Sequence, residues 1–126
     1  MNLGPAHFEK ALRLVDLDAN NLTEIEINEY FEYADLAITL RSKSASELKR
    51  AVIRYLDEGE LDDNLRYGTV AKLVSINLDR FGQGEIQHIV RICRKQLCRA
   101  VEPRPVHFLS DILHRLNERF DWAELK

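Results

Sequence analysis

The 126-residue chain has few chain breakers, with 3 prolines and 5 glycines. That scarcity argues against a sandwich of short strands joined by tight turns and favours helices. Long apolar runs are missing too. None approaches the roughly 20 residues that cross a bilayer, so no membrane partner is expected. The segment Met1–His7 has no basic stretch followed by an apolar one, so no secretory signal is read and a cytoplasmic location is expected. The chain has 2 cysteines, Cys93 and Cys98, and no CxxC. Five apart on a helix, they face different ways, which excludes a local disulfide and points to two reduced, semi-buried thiols. Walker, GxSxG and GxGxxG motifs are absent, and basic neighbours of the cysteines bring no partner histidine. The expectation is a binding protein rather than an enzyme.

What is present is a globular balance, 45% hydrophobic and 31% charged, of a length that suits one domain. The net charge of −3 is unevenly spread. Residues 1–63 carry 7 Lys and Arg against 14 Asp and Glu, a net of −7. Residues 64–126 carry 11 against 7, a net of +4. The two halves can attract each other within one fold or present differently charged faces to partners.

Helical periodicity recurs along the chain. Pro5 suits a first helical turn, and Phe8, Ala11, Leu12 and Val15 follow it. Thr23 and Glu26 form a capping box that opens a second helix running to about Leu40. This helix carries Ile27, Tyr30, Phe31, Ala34 and Ile38 on one side and Tyr33, Ala37 and Leu40 on another. So wide an apolar surface predicts a central helix or one with a face for a partner. Ser44 and Glu47 repeat the box before a third helix with Leu48, Val52, Tyr55 and Leu56, ended by the acidic loop Asp57–Asp63. A fourth helix is read from about Asn64 to Asn77, with Val70, Leu73, Val74 and Asn77 on one face. After a turn at Phe81-Gly82-Gln83-Gly84, a fifth carries Ile86, Ile89, Val90, Cys93 and Leu97. Pro103 and Pro105 are read as its stop. A sixth, at about 105–120, holds Val106, Leu109, Ile112, Leu113, Leu116 and Phe120, with a capped turn of Asp121 and Glu124 around Trp122. The prediction is therefore an all-α single domain of about six helices.

Asp16, Asp18 and Asn20 place oxygen ligands at alternating positions, and Glu26 and Glu29 follow at the start of the next helix. A Ca²⁺ loop needs that alternation and a final bidentate carboxylate. The runs Phe8–Asn21 and Glu24–Phe31 resemble the two halves of a calmodulin-type EF-hand. Leu22 and Thr23 stand between the halves as two extra residues, so the loop Asp16–Glu29 has 14 residues where the family usually has 12. Asn21 occupies the place of the usual turn glycine, a residue type that tolerates positive φ.

A shift of 61 residues matches Leu12 with Leu73, Leu17 with Leu78, Asp18 with Asp79, Glu24 with Glu85 and Ile25 with Ile86. The resemblance thus implies two EF-hand-like hairpins, at about 5–40 and 64–101, joined by an extra helix and braced by a short β-bridge between Ile25 and Ile86. The second loop has Phe81 and Val90 where ligands would stand, so no metal is expected there. No cofactor is implied except Ca²⁺ at the first loop, with Asp16, Asp18, Asn20, Glu26 and Glu29 as metal ligands.

The function this suggests is a regulatory protein-interaction module that binds a helical segment of another protein. Tyr30, Phe31 and Tyr33 are its candidate anchors, because aromatics dominate such contacts, although all three equally suit a core. The alternative is a nucleic-acid-binding regulator that meets phosphates through Arg91, Arg94, Lys95 and Arg99, with Arg104 just beyond. A solvated face, or one docked on the acidic half, is the plainer reading of that stripe. His107, Asp111 and His114, with Glu118 one turn on, share a face of the sixth helix. They offer zinc or iron too few ligands for a closed site, and a polar outer face explains them as well.

Overall fold

A computed structural model describes residues 4–41 and 43–119. Among them are six α-helices, one 3₁₀ turn and no strand. The helices are α1 (Pro5–Leu14), α2 (Glu24–Thr39), α3 (Ala45–Glu58), α4 (Asn64–Ile76), α5 (Gln83–Arg99) and α6 (Pro103–Arg119), with the 3₁₀ turn at Leu78–Arg80 between α4 and α5. Phe120 and the turn expected around Asp121, Trp122 and Glu124 lie outside the described residues, as does the side chain of Glu118.

Local chemistry accounts for most of the boundaries. Pro5 opens α1, where its missing N–H costs nothing. Thr23 caps α2 as read: its Oγ1 accepts from the Glu26 amide at 3.1 Å, and Glu26 Oε1 accepts from the Thr23 amide at 3.0 Å. The second box does not form. Ser44 precedes α3 with ψ near 0° rather than extended, and its side chain makes no cap hydrogen bond. Pro103 and Pro105 do more than stop α5, because both lie in the first turn of α6. The first turn of a helix tolerates proline, since its amides have no intrahelical partner.

The six helices form one compact domain around one contiguous core. Its largest fully buried members include Leu14, Ile38, Leu48, Leu73 and Ile89, joined from α6 by Leu109, Ile112 and Leu116. α1 and α2 form the most extensively packed pair. α2 packs on α1, α3 and α4, while Leu40 on its second apolar side stays half exposed. α4 and α5 do not pack extensively on each other; each packs instead on α6. The α4–α6 contact is close because Gly68 has no side chain: a Cβ there would lie 2.5 Å from the Phe108 ring. The expected bridge between the hairpins is absent. Ile25 is 79% exposed in the first turn of α2, and Ile86 is buried in α5. Both residues are helical, so neither can pair as a strand.

Candidate functional site

The loop after α1 is organised by one side chain from α4. Arg66, only 6% exposed, reaches across to the C-terminal end of α1. Its Nε donates to the Leu14 carbonyl at 2.8 Å, its Nη1 to Ala19 at 2.6 Å, and its Nη2 to Arg13 at 3.1 Å and to Asp16. Helix C-termini carry unpaired carbonyls and partial negative charge, so a guanidinium fork suits this end well. The Tyr55 ring covers the same guanidinium, with Cζ 4.7 Å from its centroid. Asp63 fixes the start of α4 by accepting from the Arg66 amide at 3.2 Å. The next residue, Tyr67, donates its hydroxyl to the Leu56 carbonyl at the end of α3. Consecutive residues of one helical turn therefore hold the C-termini of two other helices.

The structure does not gather the candidate metal ligands. Among the described residues no group of three or more His, Cys, Asp or Glu side chains has a geometry that could hold a metal ion. Asp16 is exposed and folds its carboxylate onto the Asp18 amide at 2.9 Å, and Asp18 and Asn20 are also exposed. Glu26 is committed to the cap of α2 and to the Tyr30 hydroxyl, 3.1 Å away. Glu29 accepts from Lys10 at 3.1 Å, a bond that raises the lysine pKa above its ordinary value. The residues therefore do not fit a Ca²⁺ cage. The physical reason is that capping and ion pairing occupy the last two carboxylates while Arg66 already supplies positive charge to the loop carbonyls. Asn21 does adopt the turn conformation read for it, with φ of 60°.

The aromatic anchors are less available than their sequence pattern implied. Tyr30 is buried, at 7% exposure, and its hydroxyl donates to Glu26. Phe31 is partly buried beneath Lys72, whose Nζ is 5.5 Å from the ring centroid. Tyr33 is partly buried too, stacked on His7 with centroids 4.5 Å apart and approached by Lys10. These rings finish the packing of α2.

Arg91, Arg94, Lys95 and Arg99 are all exposed on α5. Lys95 reaches the acidic half, where it pairs with Asp57. Arg99 stays on its own helix and donates to Gln96 Oε1 at 3.4 Å. Gln96, only 1% exposed, donates in turn to the Leu56 and Asp57 carbonyls at 3.3 and 2.6 Å. Arg104 is exposed at the start of α6. On α6, Asp111 pairs with Arg115 at 3.0 Å, and the His107 ring lies edge-on to Phe108. Cys93 is buried, which pushes its thiol up to about 12, whereas Cys98 is exposed.

Two clefts lie beside the first loop. A groove of about 570 Å³ between α1 and α3 has Leu12, Val15, Leu17 and Ala51 along its floor. Its charged lining is Glu9, Arg13, Asp16 and Asp18 from α1 and the loop after it, and Glu47, Arg50 and Arg54 from α3. A smaller cleft of about 310 Å³ separates the loop after α1 from the α3–α4 connection. Neither was read from the sequence, because each joins segments some 40 residues apart that no local pattern connects.

Compared with protein-family profiles, curated proteins and solved structures, the chain has no significant match to any of them.

Proposed function

We propose that the domain is a non-enzymatic protein-interaction module that seats an amphipathic helix of a partner protein in the groove between α1 and α3. The observation that carries this reading is the groove itself, which joins apolar residues to a charged lining that is mainly acidic on the α1 side and mainly basic on the α3 side. An amphipathic helix with acidic residues on one flank and basic residues on the other complements it: the acids face Arg50 and Arg54, and the bases face Glu9, Asp16 and Asp18. Arg54 already pairs with Glu58, which leaves Arg50 as the better anchor for a partner carboxylate. The EF-hand resemblance enters this reading as a scaffold without a calcium switch, since the loop is held by Arg66 rather than by its own carboxylates.

The experiment is a titration of the domain with a synthetic helix that carries leucines at i, i+3, i+4 and i+7 and charges of opposite sign on its flanks, followed by amide chemical shifts. The expected result is saturable change around Leu12, Val15, Leu17 and Ala51, weakened about tenfold or more by Ala51→Arg, a loss of about 1.4 kcal/mol. Raising salt should weaken the affinity only modestly, because it screens the flanking charge pairs and leaves the apolar contacts. Peptide binding that ignores Ala51→Arg would overturn this reading; in a parallel titration with an oligonucleotide, binding that centres on Arg91 and Arg94 and collapses between low and moderate salt would support the nucleic-acid one.

A further inference from the structure

The smaller cleft holds two polar groups that the fold does not use. Tyr55 lines it and is only 2% exposed, yet among the described residues its hydroxyl makes no hydrogen bond. The hydroxyl-bearing edge of the ring lies against Gly59 on the same wall: a Cβ at Gly59 would sit 2.9 Å from Tyr55 Cζ. Glu60, also on the wall, is exposed, and its carboxylate has no hydrogen-bond or ion-pair partner among the described residues.

The remaining wall groups set the sign of a ligand. Glu58 and Asp63 add carboxylates, while Asn20 and Asn21 contribute side-chain amides. Among the described residues Arg66 is the one cation on the wall, but its guanidinium is turned to the carbonyls of Arg13, Leu14, Asp16 and Ala19. Glu58 is paired with Arg54, so Glu60 and Asp63 against Arg66 leave the cleft with a net negative charge. A carboxylate or phosphate ligand would meet that field unfavourably, whereas a cation with several N–H donors would satisfy the Tyr55 oxygen and Glu60 together. Burial pushes the Tyr55 phenol up to about 12; Arg66 opposes the rise, and the Asp63 and Glu60 carboxylates add to it. The phenol therefore stays protonated and offers a neutral oxygen at physiological pH. The size, about 310 Å³, is at the lower end for a ligand pocket, commonly about 300–1,000 Å³.

We infer that this cleft is a binding site for a primary ammonium group on a flexible chain, held between the Tyr55 hydroxyl and the Glu60 carboxylate. Such a group comes either from a small free amine or from a lysine side chain of a partner protein. The site adjoins the α1–α3 groove, with which it shares Leu17, but the inference does not rest on the groove being occupied.

The test uses the whole chain and two probes, 1,5-diaminopentane and lysine blocked at both its α-amine and its carboxyl group, with 1-pentanol as the uncharged control. Saturable amide shifts at Asn20, Asn21, Gly59 and Glu60 are expected with an amine and not with pentanol. A response to the diamine alone assigns a free amine, and a response to blocked lysine assigns a protein side chain. Tyr55→Phe removes only a hydroxyl that has no partner, and Glu60→Gln keeps the shape of an exposed side chain. Each should weaken binding about tenfold, the loss of one hydrogen bond to a charged group. No saturable binding by either amine, or binding that survives both substitutions unchanged, would overturn the assignment.

Discussion

The two helix-loop-helix segments that echo each other in sequence pack differently, although each connection is held by a cation from another helix. In the first, α1 and α2 pack directly, and the loop between them is held from outside by Arg66. In the second, α4 and α5 separate onto α6, and the connection between them carries a 3₁₀ turn and a buried Phe81. Lys49 of α3 secures that turn by donating to the Arg80 carbonyl at 3.0 Å and pairing with Glu85 at 3.8 Å. Similar sequence spacing therefore does not imply similar tertiary roles. One hairpin is a packed unit whose loop borrows the buried Arg66; the other is a pair of struts whose connection combines an apolar plug with a two-point hold by Lys49.

Removing the borrowed cation should break the comparison most. Arg66→Leu strands the carbonyls of Arg13, Leu14, Asp16 and Ala19 and is expected to cost about 4 kcal/mol, read by denaturant unfolding. Hydrogen exchange should accelerate first in the loop after α1. Arg66→Lys keeps the charge but loses the fork, so it should recover only part of that stability. Equal stability for the leucine variant would show that the loop needs no cation.

Phe81→Ala is the matching test of the second segment. It should cost about 3 kcal/mol through the cavity it leaves, and exchange should quicken from Asn77 to Glu85 while α1 and α2 stay protected. If both variants loosen the same amides, the two loops are one cooperative unit and the contrast fails. Asn77→Ala should be milder, about 2 kcal/mol. Asn77 is 4% exposed, and its Nδ2 donates to Asp35 at 2.8 Å and to the Leu73 carbonyl at 3.0 Å. Because it ties the end of α4 to α2, its loss should quicken exchange on both sides.

The sequence made the helices legible because their apolar spacing is local. It also revealed the Thr23–Glu26 cap, a contact closed within one turn. Arg66 was not legible as the organiser of the first loop, because its partners lie about 50 residues away. One signal was there to be read: Arg66, Val70, Leu73 and Asn77 fall on one helical stripe. An arginine and an asparagine at the ends of an apolar stripe mark buried polar groups that need distant partners. The acidic residues of the first loop were visible, but their spacing could not show that Glu26 and Glu29 were already taken. The wide apolar surface of α2 likewise could not show that Tyr33 would be covered by His7 and Lys10.

The smallest expected effect separates the two helix starts. Glu26 and Glu85 each accept from the amide three residues before, Thr23 at 3.0 Å and Gly82 at 2.8 Å. Only Thr23 returns the bond through a side chain, since Gly82 has none. The Thr23 amide, followed by its hydroxyl and then the Tyr30 hydroxyl, holds the Glu26 carboxyl below its ordinary value. A carboxyl whose folded pKa is lowered contributes stability above its unfolded pKa, about 4.3, and loses it as pH falls through the folded value. The first turn of α2 should therefore fray in acid below that range, before the core of the domain responds. An acid titration that follows the Thr23 amide shift and the Glu26 carboxyl carbon reads this directly. Glu26→Gln should remove the pH dependence of the Thr23 amide. A Glu26 carboxyl that titrates at its ordinary value would mean that the reciprocal cap is open in solution.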